Sequence, residues 1–179
     1  MSEVATLAGG CFWCLEAIFE RVHGVERVES GFSGGDPAVT SYRAVCEGTS
    51  GHAEVVQVTF DPAAVSYAEL LQLFFVFHDP TTLNRQGSDV GTQYRSAIFT
   101  HSAEQDRAAR DLIAALDGAQ LWPDPIVTEV VPFDAFFPAE DHHQGYYRQN
   151  ARQPYCQATI APKVAKLRAH FASRLKPGA

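Results

Sequence analysis

The strand-like segments of this chain are short, and the clearest of them, Ala53–Phe60, alternates: Val56, Val58 and Phe60 share one face while Gln57 and Thr59 take the other. An all-parallel sheet is buried on both faces and reads as long continuous apolar runs; no such strand is present. Val4–Leu7, Val25–Phe32, Tyr94–Phe99 and Ile126–Val131 are the other strand candidates. Helical periods fall between them. Leu15, Ile18, Phe19 and Val22 line one face of Cys11–His23, with Gly24 placed to end it. Ser66-Tyr67-Ala68-Glu69 has the capping-box pattern and opens a helix to about His78; Ser102-Ala103-Glu104-Gln105 opens another that carries Leu112, Ile113 and Leu116 inward and stops near Gly118. Val164, Leu167, Phe171 and Leu175 give the tail an amphipathic helix, entered through Pro162. Short strands interleaved with helices predict an α+β fold of two layers, helices packed on a mixed sheet.

The 179 residues suit one domain, 1–179, since roughly 150 residues is a typical domain and a chain this long buries about two-thirds of its surface. With 14 Lys+Arg against 21 Asp+Glu, the net charge of −7 and the lack of any basic run argue against a nucleic-acid surface. Met1–Gly10 has no basic leader, and the longest apolar run, Leu70–Phe77, contains Gln72 and falls far short of the ~20 residues that span a bilayer. The expectation is a soluble cytoplasmic protein that engages neither nucleic acid nor membrane, with a monomer as the default.

Four cysteines in such a chain point to redox or metal chemistry before a disulfide framework. Gly9-Gly10-Cys11-Phe12-Trp13-Cys14 places Cys11 after a glycine turn at a helix start, where free amides and the helix dipole favour an anion, so a thiolate-rich Cys11 is expected. The blander reading makes Cys11 and Cys14 small buried hydrophobes or half of a zinc site. His142 and His143 would have to complete that site, but neighbours on a helix point about 100° apart and no second CxxC exists, so no metal is expected. A CxxC at a helix start also fits a thioredoxin-like disulfide exchanger, against which Phe12 and Trp13 look like walls of a small apolar pocket.

Glu54 has the parity of the apolar face of its strand. If it points into the core, desolvation raises its pKa and makes it a general-acid candidate; the alternative is a strand-end carboxylate turned to solvent or paired with Arg. Asp89-Val90-Gly91-Thr92-Gln93-Tyr94-Arg95 and Tyr42 could build a hydrogen-bonding pocket for a polar oxygen. Glu140-Asp141-His142-His143-Gln144 reads as a solvated acidic cluster starting a helix. Cys156 lies in an alternating stretch with Ala158 and Ile160, as a buried sheet residue or a resolving thiol. Cys46 is read as inert, and Gly31–Gly35 lacks the Gly-Lys-Ser/Thr of a P-loop.

Gly10-Cys11-Phe12-Trp13, Gly51-His52-Ala53-Glu54, Asn84-Arg85-Gln86-Gly87 through Gly91-Thr92-Gln93-Tyr94-Arg95-Ser96, and Ala139-Glu140-Asp141-His142-His143-Gln144 occur in this order. Together they closely resemble the peptide methionine sulfoxide reductase A family over almost the whole chain. The resemblance implies an α/β roll of ferredoxin-like character that reduces methionine-S-sulfoxide, free or in proteins, through a cysteine sulfenic acid and a disulfide. It implies Cys11 as the nucleophile on sulfur, Phe12 and Trp13 around the S-methyl group, and Glu54 as the acid for the sulfoxide oxygen. Tyr42 and Tyr94 would hydrogen-bond that oxygen, with Asp89 and His143 supporting the polar side. Tyr155-Cys156 matches the resolving-cysteine position, and Cys14 is the alternative resolver. No cofactor is implied; thioredoxin or another dithiol would recycle the disulfide. The chain departs from many members in carrying Cys14 where they have Gly, and Ile160-Ala161-Pro162-Lys163 where they have a Gly-rich tail.

Overall fold

The computed structural model describes residues 1–179. Strand β1 (Glu3–Gly9) runs into α1 (Phe12–Phe19), and β2 (Val25–Ser33) leads through α2 (Tyr42–Cys46) to β3 (Ala53–Phe60). Next come α3 (Tyr67–Val76), a hairpin of β4 (Arg85–Gln86) and β5 (Asp89–Val90), then β6 (Ser96–Thr100), α4 (Ala103–Gly118), β7 (Glu129–Pro132) and β8 (Phe137–Pro138). Helices α5 (Tyr146–Asn150) and α6 (Ala161–His170) follow. The sheet order is β7-β6-β1-β3-β2-β8. All its pairings are antiparallel except β6 with β7, which makes the sheet mixed, as the absence of long apolar strands requires.

Leu7, Phe32, Val56, Val58 and Phe60 form one core with Phe12, Leu15 and Phe19 of α1, Leu70 and Phe74 of α3, and Leu167 of α6. Each such side chain contributes roughly 1.5–3 kcal/mol on leaving water, so burial of this face is what holds short helices to the sheet. A smaller cluster, Ala8, Ala53, Val55, Ala97 and Phe99, is covered by Val131, Phe133 and Phe136 from the β7–β8 region. The result is the two-layer α+β arrangement. Both expected caps form: Ser66 and Glu69 exchange the two bonds of a capping box, and Ser102 accepts the Gln105 amide. No helix is long and apolar enough to cross a membrane.

Several boundaries differ from expectation. Helix α1 stops at Phe19 instead of reaching His23, because the next turn is bonded to the tail: Val22 bridges Leu175, and the His23 amide donates to Arg174 O at 2.8 Å. Tyr94 lies in a 3-10 turn, Thr92–Tyr94, ahead of β6. Ile126 and Val127 precede β7, their amides spent on the Asp117 side chain and Pro80 O. The largest correction is at Cys156, which is no sheet residue. Cys156–Ile160 is a π-helical turn continuing into α6, and Cys156, Ile160, Val164 and Leu167 are all buried at helical spacing while Ala158 is exposed. The inward period of four outweighs the apparent alternation. Phe171 and Leu175 lie beyond the helix end.

Candidate active site

The position of Cys11 is set by a strand-to-helix corner. β1 ends at Gly9, and Gly10 takes φ +92°, a left-handed conformation open to glycine at little cost. A Cβ at Gly10 would lie 2.5 Å from Gln86 Cγ, and Gln86 is itself pinned by two bonds to the Asp79 backbone, 2.8 and 2.9 Å long. Cys11 then caps α1, with the Cys14 amide donating to Cys11 O at 3.1 Å.

The first amide of α1 is committed elsewhere. Phe12 N–H donates to Glu54 Oε1 at 3.1 Å, so the helix start faces the carboxyl of β3. Glu54 is fully buried, on the core side its strand parity indicated. Burial pushes its pKa up to about 8, against the Phe12 amide and reinforced by Asp89 and Cys14, so the carboxyl carries a proton at neutral pH. Its second oxygen, Oε2, has no hydrogen-bond partner. A neutral carboxylic acid with a free oxygen can give up a proton to an acceptor placed there.

The thiols behave differently from the expectation of a thiolate-rich Cys11. Burial raises the Cys11 pKa well above the ordinary thiol value, and contact with Cys14 and the Glu54 charge add to it, outweighing the Trp13 amide. The dipole of a two-turn helix loses here to desolvation. Cys14 moves the other way: interaction with the Cys11 thiol lowers its pKa to about 7 against burial, helped by Lys163 and the Tyr155 hydroxyl. The Tyr155 hydroxyl donates to Asp89 Oδ2 at 2.8 Å and lies 4.0 Å from Cys14 Sγ. Cys156 is buried, and the charge of Cys14, after burial, raises its pKa.

Trp13 forms the wall. Its ring stacks on Tyr146 at 3.7 Å between centroids, meets Tyr155 edge-on at 5.9 Å and lies 6.0 Å from Tyr42. The indole N–H donates to His143 Nδ1 at 3.2 Å. Phe12 is wholly buried behind this group, packed on Tyr42 and His143. Tyr42 and Tyr94 both feel the charge of Glu54, and burial raises both hydroxyl pKa values, which keeps them donors. The structure thus gathers Cys11, Cys14, Glu54, Trp13, Tyr42, Tyr94, Asp89, His143, Tyr155 and Cys156 into one region from distant segments of chain.

The family described as Peptide methionine sulfoxide reductase matches residues 3–175. The chain belongs to that family. The peptide methionine sulfoxide reductase MsrA of Chromobacterium violaceum is 57% identical over 174 residues, covering 97% of this chain and 99% of that one. The crystal structure of Mxr1 from Saccharomyces cerevisiae in reduced form superposes with a TM-score of 0.80 at 33% identity, covering 88% of this chain and 91% of that one. Mxr1 in complex with Trx2 gives a TM-score of 0.55 at 25% identity, over 81% and 84% of the two chains. The protein is therefore an oxidoreductase of the methionine sulfoxide reductase family, which displaces the reading as a thioredoxin-like exchanger.

Tyr146 carries no sequence signal, and Glu140 stands in the Ala139–Gln144 motif without a role of its own. Tyr146 stacks on Trp13, and Glu140 accepts the Tyr42 amide at 2.9 Å, placing α2 against the wall. In the Glu140–Gln144 segment Glu140, Asp141 and His142 are exposed, as the acidic composition suggested, while His143 is buried. Gln144 accepts the Ser30 amide at 2.9 Å and donates to Ser30 O and Ala139 O at 2.8 and 3.1 Å, which sews the segment to β2 and carries His143 inward. The aromatic spacing Trp13, Tyr146, Tyr155 has no local period, so only the packing of α1 beside α5 and the π-helical turn reveals it.

Proposed function

We propose that this reductase acts on methionine-S-sulfoxide, free or in proteins, through Cys11, and that thioredoxin or another dithiol regenerates it. The observation that carries the reading is Glu54: a buried, protonated carboxyl held by the Phe12 amide beside Cys11, with one oxygen unpartnered. A sulfoxide oxygen is a poor leaving group until protonated. In the proposed step Glu54 protonates that oxygen, Cys11 sulfur attacks the sulfoxide sulfur, and the thiol proton of Cys11 replaces the one Glu54 has given. The S–O bond breaks as oxygen passes to Cys11. The products are the thioether and a Cys11 sulfenic acid, the substrate sulfur gaining the two electrons that Cys11 loses. Tyr42 and Tyr94 hydrogen-bond the oxygen, Asp89 and His143 hold the polar side, and Phe12 and Trp13 enclose the methyl group.

The thiol of Cys14 then displaces the hydroxyl of the sulfenic acid as water and forms a Cys11–Cys14 disulfide. Its contact with Cys11 and its pKa of about 7 favour it as first resolver, although Cys156 holds the position the family resemblance pointed to. The Cys156 thiol then attacks Cys14 Sγ, forming a Cys14–Cys156 disulfide and releasing Cys11 as the thiol, and an external dithiol reduces that disulfide to two thiols while being oxidised itself. The complex of the relative Mxr1 with Trx2 supports thioredoxin as that dithiol. The test is single-turnover reduction of a methionine sulfoxide peptide followed by peptide mapping. Cys11→Ser should abolish turnover with the fold intact, and the oxidised wild type should show a Cys11–Cys14 bond before any bond to Cys156. Turnover in Cys11→Ser removes the nucleophile assignment; a first bond from Cys11 to Cys156 removes the proposed order.

A further inference from the structure

Glu140, His142 and His143 bring a carboxylate oxygen and two imidazole nitrogens within 4.8 Å of one another. The two histidines were expected to diverge on a helix. Instead, in the 3-10 turn Asp141–His143, their rings lie 4.0 Å apart between centroids. Two imidazoles and one carboxylate form the donor set of a borderline transition cation and are too poor in oxygen for calcium or magnesium. A second feature belongs to one of the three residues. His143 Nε2 is shut off from solvent and has no hydrogen-bond partner, on a side chain only 4% exposed, and a buried orphan nitrogen of this kind calls for a ligand.

Trp13 links this cluster to the pocket. An indole N–H can only donate, so His143 Nδ1, which receives it, carries no proton and Nε2 carries it instead. A cation at Nε2 must displace that proton. The ring stays neutral only with the proton on Nδ1, where it would face the indole N–H with a second donor. Occupation of Nε2 and the Trp13–His143 bond therefore exclude each other, and a cation taking Nδ1 breaks that bond directly.

We propose that Glu140, His142 and His143 bind a divalent transition cation, and that binding releases Trp13 from His143 and so inhibits the reductase. The binding stands on the cluster; the inhibition rests on the proposed role of Trp13 as a pocket wall. Cobalt(II) is the probe, because a thiolate ligand announces itself by an intense near-ultraviolet charge-transfer band that imidazole and carboxylate lack. The full chain, pre-reduced and freed of thiol, is titrated while cobalt absorption and tryptophan emission are followed. One equivalent should bind without the thiolate band and change the emission. His142→Ala, at an exposed position, should lose this binding and keep the metal-free single-turnover rate, and Glu140→Gln should weaken it. Cobalt should slow single turnover in the wild type reversibly with chelator, and leave His142→Ala unaffected. A thiolate band, or equal binding by His142→Ala, overturns the site. Binding through His142 with an undiminished turnover rate overturns the inhibition. Since cobalt binding is read without catalysis, its failure is distinguishable from a failure of the proposed reaction.

Discussion

In the proposed reaction Glu54 supplies the acid. Its pKa of about 8 is set first by burial, with Asp89 and Cys14 adding to it and the Phe12 amide opposing. The proton needed for the sulfoxide oxygen is present below pH 8 and lost above it. The single-turnover rate should therefore fall as pH rises through about 8, with Glu54→Gln about 10²–10⁴-fold slower and lacking that limb. An unchanged rate in Glu54→Gln would remove the acid role. The same carboxyl bears on stability. Its pKa is higher folded than unfolded, so its folded-state preference is fully present below the ordinary carboxyl pKa near 4.5 and disappears as pH climbs through about 8. At neutral pH and above, Glu54→Gln should be the more stable protein, by up to a few kcal/mol in thermal melts, an activity-for-stability exchange that a merely structural glutamate would not show.

At the level of elements, the β1–α1 corner decides where Cys11 sits. Gly10 is needed for its φ of +92° and for the approach of Gln86, so Gly10→Ala should cost about 1–3 kcal/mol in denaturant melts and also lower turnover, since the corner and the nucleophile move together. Unchanged stability and rate would show that the corner tolerates a side chain. Apolar patterning made α1, α3 and α4 readable from sequence, and the capping residues Ser66 and Ser102 marked two of their starts. The π-helical turn at Cys156–Ile160 was unreadable for a physical reason: three residues two apart, Cys156, Ala158 and Ile160, mimic a strand over so short a window, and only burial of Cys156, Ile160, Val164 and Leu167 together breaks the tie.

Across the whole molecule, the tail closes onto the start. The Val22–Leu175 bridge, the His23 bond to Arg174 and the Lys176 amide on Arg21 O at 2.9 Å tie the end of α1 to the last residues, and α6 shares the core with α1. We propose one cooperative unit over 1–179, for which unfolding followed by near- and far-ultraviolet circular dichroism should coincide; separated transitions would divide the domain. Local patterns carried the family, the alternation of β3, the strand parity of Glu54 and the pairing of Cys11 with aromatic neighbours, because these are written within a few residues, whereas the burial of Glu54 came from the structure. The raised pKa of Cys11, the stacking of Tyr146 on Trp13, the inward turn of His143 and the helical, buried setting of Cys156 came from packing. Charge and contact inside a core depend on which distant segments exclude water from it, and no short window of residues holds that information.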